Sequence, residues 1–184
     1  MSKVKTLFWK NNFLYLLDQK KLPLKISYVK CKTYIDVAKC IKNMTVRGAP
    51  AIGVSAGYGF ALGLKNVSTK NYNNFVKYTN NIAQKLISTR PTAVNLFWSV
   101  ERIKKYAFSI YNKDKKNIFR KVLSEAKKIH KEDIVCNIKM SKIGAKLIKN
   151  GATILTHCNA GVLATSAVGT ALGVIIEAYK QGKV

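Results

Sequence analysis

Gly151-Ala-Thr-Ile-Leu-Thr-His-Cys-Asn-Ala-Gly-Val-Leu-Ala-Thr165 is the stretch that decides the fold class. Residues 153–156 are β-branched and apolar, the pattern of a buried strand. His157, Cys158 and Asn159 follow where that strand would end, and Ala160-Gly161 would turn the chain. Residues 162–179 hold no breaker except Gly169 and Gly173, so they read as a helix. Strand, polar tripeptide, glycine turn and helix begin an open α/β sheet, in which ligands sit beyond the carboxyl ends of the strands. Cys158 would stand there, beside a helix N-terminus whose unpaired N–H groups favour anions. Packing is the competing reading, because cysteine is among the most buried residue types. His157 would face the opposite side of a continuing strand.

Working outward, residues 132–149 read as a helix with Ile138 and Leu147 apolar, stopped by Asn150-Gly151. Residues 113–130 form an amphipathic helix with Ile118, Val122 and Ile129 inward. Before it, Arg90-Pro-Thr-Ala-Val-Asn-Leu-Phe-Trp predicts a helix opened by Pro91, with Val94, Phe97, Trp98 and Ile103 as its apolar side. Glu101 and Arg102 are expected to be exposed or paired. The same device occurs earlier, where Arg47-Gly-Ala-Pro50 precedes a helix of small residues. Gly53, Gly57, Gly59 and Gly63 each cost that helix up to ~1 kcal/mol relative to alanine, which close backbone packing would offset. Arg47 near such a start is either a surface residue or an anion clamp. A further helix is expected from Asn73 to Ile87 and a short one over residues 36–44. Leu7-Phe-Trp, Phe13-Leu-Tyr-Leu-Leu and Ile26-Ser-Tyr-Val predict three strands, the first two joined by Asn11-Asn12.

The expected fold class is therefore α/β. A mainly helical N-terminal domain with a small antiparallel sheet, residues 1–125, would precede the incomplete start of an α/β domain, residues 126–184. One strand and one helix cannot make a parallel sheet. The expectation is that a complementing C-terminal chain supplies the rest, or that these residues are the front of a longer protein.

Composition bounds the function. A chain of 184 residues with 48% hydrophobic and 22% charged residues can bury a core of one domain or slightly more. The net charge of +25 suggests nucleic acid or an acidic membrane. The kind of base argues against sequence-specific recognition: 29 of the 33 basic residues are lysine, and only Arg47, Arg90, Arg102 and Arg120 carry the planar guanidinium such readers use. No specific nucleic-acid partner is expected. Residues 151–176 carry no formal charge and could span a bilayer, but His157-Cys158-Asn159 and the glycine turn fit a buried strand and helix better, so no membrane partner is expected. Cys31, Cys40, Cys136 and Cys158 form no C-x-x-C and do not combine with His130 or His157 at ligand spacing. No metal and no cofactor are expected, and free thiols point to a reducing cytoplasm.

Four motifs occur in order: Leu17-Asp-Gln-x-x-Leu-Pro, Val46-Arg-Gly-Ala-Pro-Ala-Ile-Gly, Arg90-Pro-Thr-Ala-Val-Asn-Leu and Leu155-Thr-His-Cys-Asn-Ala-Gly. Together they closely resemble the S-methyl-5-thioribose-1-phosphate isomerase family, aldose–ketose isomerases of methionine salvage. The wider group also contains ribose-1,5-bisphosphate isomerases and regulatory subunits of the exchange factor of translation initiation. The alternatives are therefore a non-catalytic regulatory subunit sensing a phosphorylated sugar or nucleotide, or a ribose-1,5-bisphosphate isomerase. The resemblance implies a Rossmann-like second domain and a homodimer when complete. It also implies a small sugar-phosphate substrate bound by Arg47, Gly48, Ala49 and Arg90, with Cys158 as the active-site cysteine. In the family the general acid is an aspartate in a Gly-Ala-Asp-Arg segment. That segment, and the later Asn-Lys pair, are not among these 184 residues.

Overall fold

The computed structural model describes residues 4–68 and 70–183. Three strands, β1 (Leu7–Lys10), β2 (Phe13–Leu17) and β3 (Tyr28–Cys31), form an antiparallel sheet in that order. Asn11 and Asn12 both have positive φ, 51° and 60°, the two-residue turn whose twist matches that of the strands. Leu7 pairs with Leu16 and Leu14 with Cys31, and all four are buried. Phe8 stacks on Tyr15 at the other face, 4.9 Å between centroids.

Among the described residues six α-helices follow: α1 (Tyr34–Lys42), α2 (Ala49–Gly63), α3 (Tyr72–Ile87), α4 (Val94–Asp114), α5 (Ile118–Leu147) and α6 (Ala171–Lys180). α1 begins two residues earlier than the sequence reading, because Thr33 and Asp36 cap it reciprocally. α2 is the axis of the molecule. It packs against α1, α3, α4, α5 and β2, and Ala51 to Gly63 are all buried. Its glycines are where neighbours come closest: a Cβ on Gly53 would lie 2.8 Å from the Asn95 carbonyl oxygen of α4. A Cβ on Gly63 would lie 2.7 Å from Ile82 of α3. The expected close packing is thus observed.

The structure corrects several local expectations. Residues 153–156 form no strand, since a strand needs a neighbour to take its hydrogen bonds and none of the described residues offers one; Leu155 is 96% exposed. The helix expected over residues 162–179 is broken into a 3-10 turn, Val162–Ala164, and α6. The buried Thr165 hydroxyl accepts from the Ala167 and Gly169 N–H groups, and Gly169 takes φ 98°. Pro91 does not open α4. It lies in a turn closed by the Ala93 N–H on the Arg90 carbonyl, and the helix starts at Val94. Val94, Phe97 and Trp98 are exposed, while Leu96, Ser99, Val100 and Ile103 face inward. The two helices expected over residues 113–130 and 132–149 run together as α5 from Ile118, crossing residues 125 and 126 without a break and ending before Asn150, while residues 113–117 close α4 and form a 3-10 turn. Part of the connector after α2, Thr69, and Val184, where a next strand was expected to begin, lie outside the described residues.

Candidate functional site

Two loops and two helix starts converge. The first loop, Thr45 to Gly48, ends at the N-cap of α2. Gly48 has φ 92°, and a Cβ there would lie 2.4 Å from Ala164 Cα. Only glycine fits, on both conformational and steric grounds. This contact seats the Arg47 loop on the 3-10 turn Val162–Ala164, in the segment that follows Cys158. Gln19 fastens the same junction: its N–H donates to the Thr45 carbonyl at 3.0 Å and its Nε2 to the Leu163 carbonyl at 2.7 Å. Thr6 Oγ1 donates to the Val162 carbonyl at 2.7 Å. Asp133 of α5 holds the next piece, its carboxylate accepting from the Ser166 N–H at 2.8 Å.

Arg47 is exposed and Arg90 half-buried, and neither has a carboxylate partner among the described residues. Arg102, by contrast, is tied to Glu125 and Glu132. Neither α2 nor α4 has a side-chain N-cap; the Leu96 N–H of α4 bonds the Ala93 carbonyl at 3.0 Å, and the remaining first-turn N–H groups of the two helices have no side-chain cap and face where an anion would bind. Those of Ala49 and Ala51 lie next to Arg47. The first turn of α4, following Arg90, touches α2 through Asn95 and Gly53.

Cys158 has φ 68° and an exposed side chain. Its Sγ lies 2.7 Å from His157 Nδ1. The two were expected on opposite sides of a strand; the left-handed backbone at Cys158 brings them together instead. Among the described residues no hydrogen bond or ion pair joins Cys158, Arg47 and Arg90. Gly48, beside Arg47, meets Ala164 in the segment after Cys158, and Asn95, in the first turn of the helix after Arg90, meets Gly53 of α2.

A cleft of about 220 Å³ opens between the starts of α2 and α4 and the middle of α5, lined by Pro50, Gly53, Asn95, Trp98, Asp133 and Cys136 among others. None of the expected site residues lines it. Gln19 lies within the first of the four motifs but was given no role there, and Asp133 was not singled out in the sequence. An amide or carboxylate serving backbone groups far along the chain leaves no spacing signal. No group of three or more His, Cys, Asp or Glu among the described residues could hold a metal. No helix among them is long and apolar enough to cross a membrane.

The chain is 51% identical over 181 residues to methylthioribose-1-phosphate isomerase of Thermotoga maritima, covering 98% of this chain and 51% of that protein. It is 48% identical over 178 residues to the enzyme of the same name from Carboxydothermus hydrogenoformans, covering 97% and 51%. It thus spans about half the length of the curated relatives it matches. Among solved structures, 5-methylthioribose 1-phosphate isomerase from Pyrococcus horikoshii superposes with a TM-score of 0.89 at 41% identity, covering all of this chain and 51% of that one. Subunit delta of translation initiation factor eIF-2B from A. fulgidus gives 0.82 at 39% identity, covering 98% and 52%. Both superpose over all or nearly all of the chain, its small sheet and helical body included, consistent with the expected α/β class. Residues 45–184 match the Initiation factor 2 subunit family, and the chain belongs to that family.

Proposed function

We propose that this chain carries the substrate-binding part of an aldose–ketose isomerase that converts S-methyl-5-thioribose 1-phosphate to the corresponding ribulose 1-phosphate in methionine salvage. The observation that carries this reading is the junction of the Arg47 loop with the turn after Cys158, in a chain half identical to enzymes of that name. A dianionic phosphate suits two arginines without carboxylate partners and helix starts without caps. In this reading Arg47, the Gly48–Ala49 backbone and Arg90 bind the substrate.

The anomeric oxygen carries the phosphate, so the ring opens only when an acid protonates the ring oxygen and the C1–O bond breaks. A hydrogen then moves from C2 to C1, and the C2 hydroxyl becomes the ketone, releasing a proton that restores the acid. Cys158 stabilises the reacting centre or moves a proton, with His157 as its neighbour. The acid, an aspartate in the family, comes from outside these residues. The working assembly is a cytoplasmic homodimer of complete subunits, divided near residue 125 into a helical domain and a Rossmann-like one.

Incubating the substrate with this chain together with the complementary half of a relative, and following ketose formation, tests the reading. Turnover supports it. Saturable binding of sugar phosphate without turnover favours the regulatory subunit, the reading that the likeness to the A. fulgidus protein supports. No binding and no turnover reject both.

A further inference from the structure

We propose that Cys31 and Cys40 form an oxidation site, a thiol pair that hydrogen peroxide closes to a disulfide beneath the Arg47 loop. The two sulfurs lie 3.8 Å apart although the residues sit on different elements, the end of β3 and the last turn of α1. Both are buried, with 0% and 5% of their surfaces exposed. Nothing lies between them. A disulfide needs the sulfurs at about 2.0 Å, an approach shared between two short side chains.

The pair is asymmetric in the way such chemistry needs. Cys40 is pulled below the ordinary thiol range, first by its hydrogen bond with Cys31, then, against burial, by Thr45 and the charge of Lys20. Cys31 is pushed up by the same hydrogen bond and by burial. Cys40, the one with residual exposure, is therefore the one that reacts first, as its thiolate, with Cys31 as the resolving thiol. The Cys40 thiolate attacks hydrogen peroxide, breaking the O–O bond to give a sulfenic acid and hydroxide. Hydroxide takes the Cys31 proton as water. The Cys31 sulfur then attacks the Cys40 sulfur and expels hydroxide, which takes up a solvent proton. Overall, two thiols and one peroxide give one disulfide and two waters, the initial ionisation of Cys40 supplying the proton.

The site is coupled to the loop by backbone. The Cys40 carbonyl accepts from the Val46 N–H at 3.3 Å, and the next residue is Arg47. The Thr45 carbonyl accepts from Gln19, which also holds Leu163. A shift of Cys40 toward β3 therefore acts on the hydrogen bonds that hold the phosphate-facing loop.

The test uses the full chain in a Cys136→Ser, Cys158→Ser background, which removes the two exposed thiols. After peroxide, denaturing maleimide labelling and peptide mapping should yield a reductant-sensitive cross-link between Cys31 and Cys40. Cys31→Ser should instead leave a Cys40 sulfenic acid that dimedone traps, and Cys40→Ser should abolish both products. Amide exchange at Val46 should change on oxidation and revert on reduction. Recovery of both cysteines as maleimide adducts from oxidised protein would overturn the proposal. An unchanged Val46 amide beside a formed disulfide would overturn its coupling to the loop.

Discussion

At the scale of single residues, Gly48 is the most constrained position of the site. Any side chain there meets both an unfavourable backbone and the Ala164 main chain. Gly48→Ala is expected to destabilise the chain by about 1–3 kcal/mol from the backbone term alone, read as a lower denaturant midpoint. His130 gives a pH prediction. Its Nδ1 lies 3.0 Å from the Tyr58 hydroxyl, and burial holds its pKa below the ordinary histidine value, against the charge of Asp133 and with that of Lys5. The unfolded chain then binds the proton more readily, so this contribution to stability is complete above pH ~6.5 and is lost as pH falls from there through the folded value. Urea midpoints measured downward from pH 7.5 should fall, and His130→Gln should flatten that slope. Cys158→Ser changes little volume at an exposed position; in the complemented enzyme it is expected to abolish most turnover while sugar-phosphate binding survives. Wild-type turnover would reject the role proposed for the thiol. Gly48 entered as a candidate only through the family motif, while the placement of Arg47 just before a helix start was legible. The contact between His157 and Cys158 was not, because it depends on one left-handed residue that no pattern marks.

At the scale of elements, periodicity located the helices and misjudged some of their faces and ends. α4 shows why. Trp98 and Phe97 are its largest apolar residues, yet Leu96, Val100 and Ile103 face the core, because α2 approaches through glycines and leaves room only for the side chains on that ridge. Trp98 instead lies under the Arg102 guanidinium, 5.3 Å from its ring centre. The split of residues 162–179 was equally hidden: a threonine hydroxyl capping its own downstream N–H groups competes with helix without altering hydrophobic spacing. The hairpin was fully legible, since Asn-Asn between apolar runs has one good turn. Between elements, Arg102 joins α4 to α5 by bonding Glu125 at 2.7 Å and Glu132 at 2.5 Å. Arg102→Lys cannot keep both, and a loss of about 1 kcal/mol is expected, small because Glu132 is 44% exposed and screened. High salt should shrink the difference in denaturant midpoint between the two proteins.

At the scale of the whole molecule, the apolar surface is unevenly distributed. Met140, Ile143 and Leu147 are 41%, 62% and 80% exposed and follow Cys136 along one face of α5. With Leu155 and Tyr179 exposed as well, the C-terminal third should bind a hydrophobic dye. Ile143→Lys with Leu147→Lys should reduce that binding while leaving the helical circular dichroism unchanged. Overall architecture was legible up to α5, where each element finds its neighbours within the chain, and less so beyond, where local pattern presupposes a sheet. The central helix has a further consequence, for the order of folding. α2 has no polar face: its four glycines and four alanines stand among Ile52, Val54, Tyr58, Phe60 and Leu62, and on its own the glycines lower its helix propensity while nothing makes it soluble. It cannot nucleate and must coil up as its neighbours arrive. Its substitutions, such as Ala56→Gly, should therefore speed unfolding rather than slow folding, giving φ-values near zero, whereas Ile103→Val and Val122→Ala in the amphipathic partners should give high ones. The last part of this protein to become ordered would be the part that ends up deepest inside it.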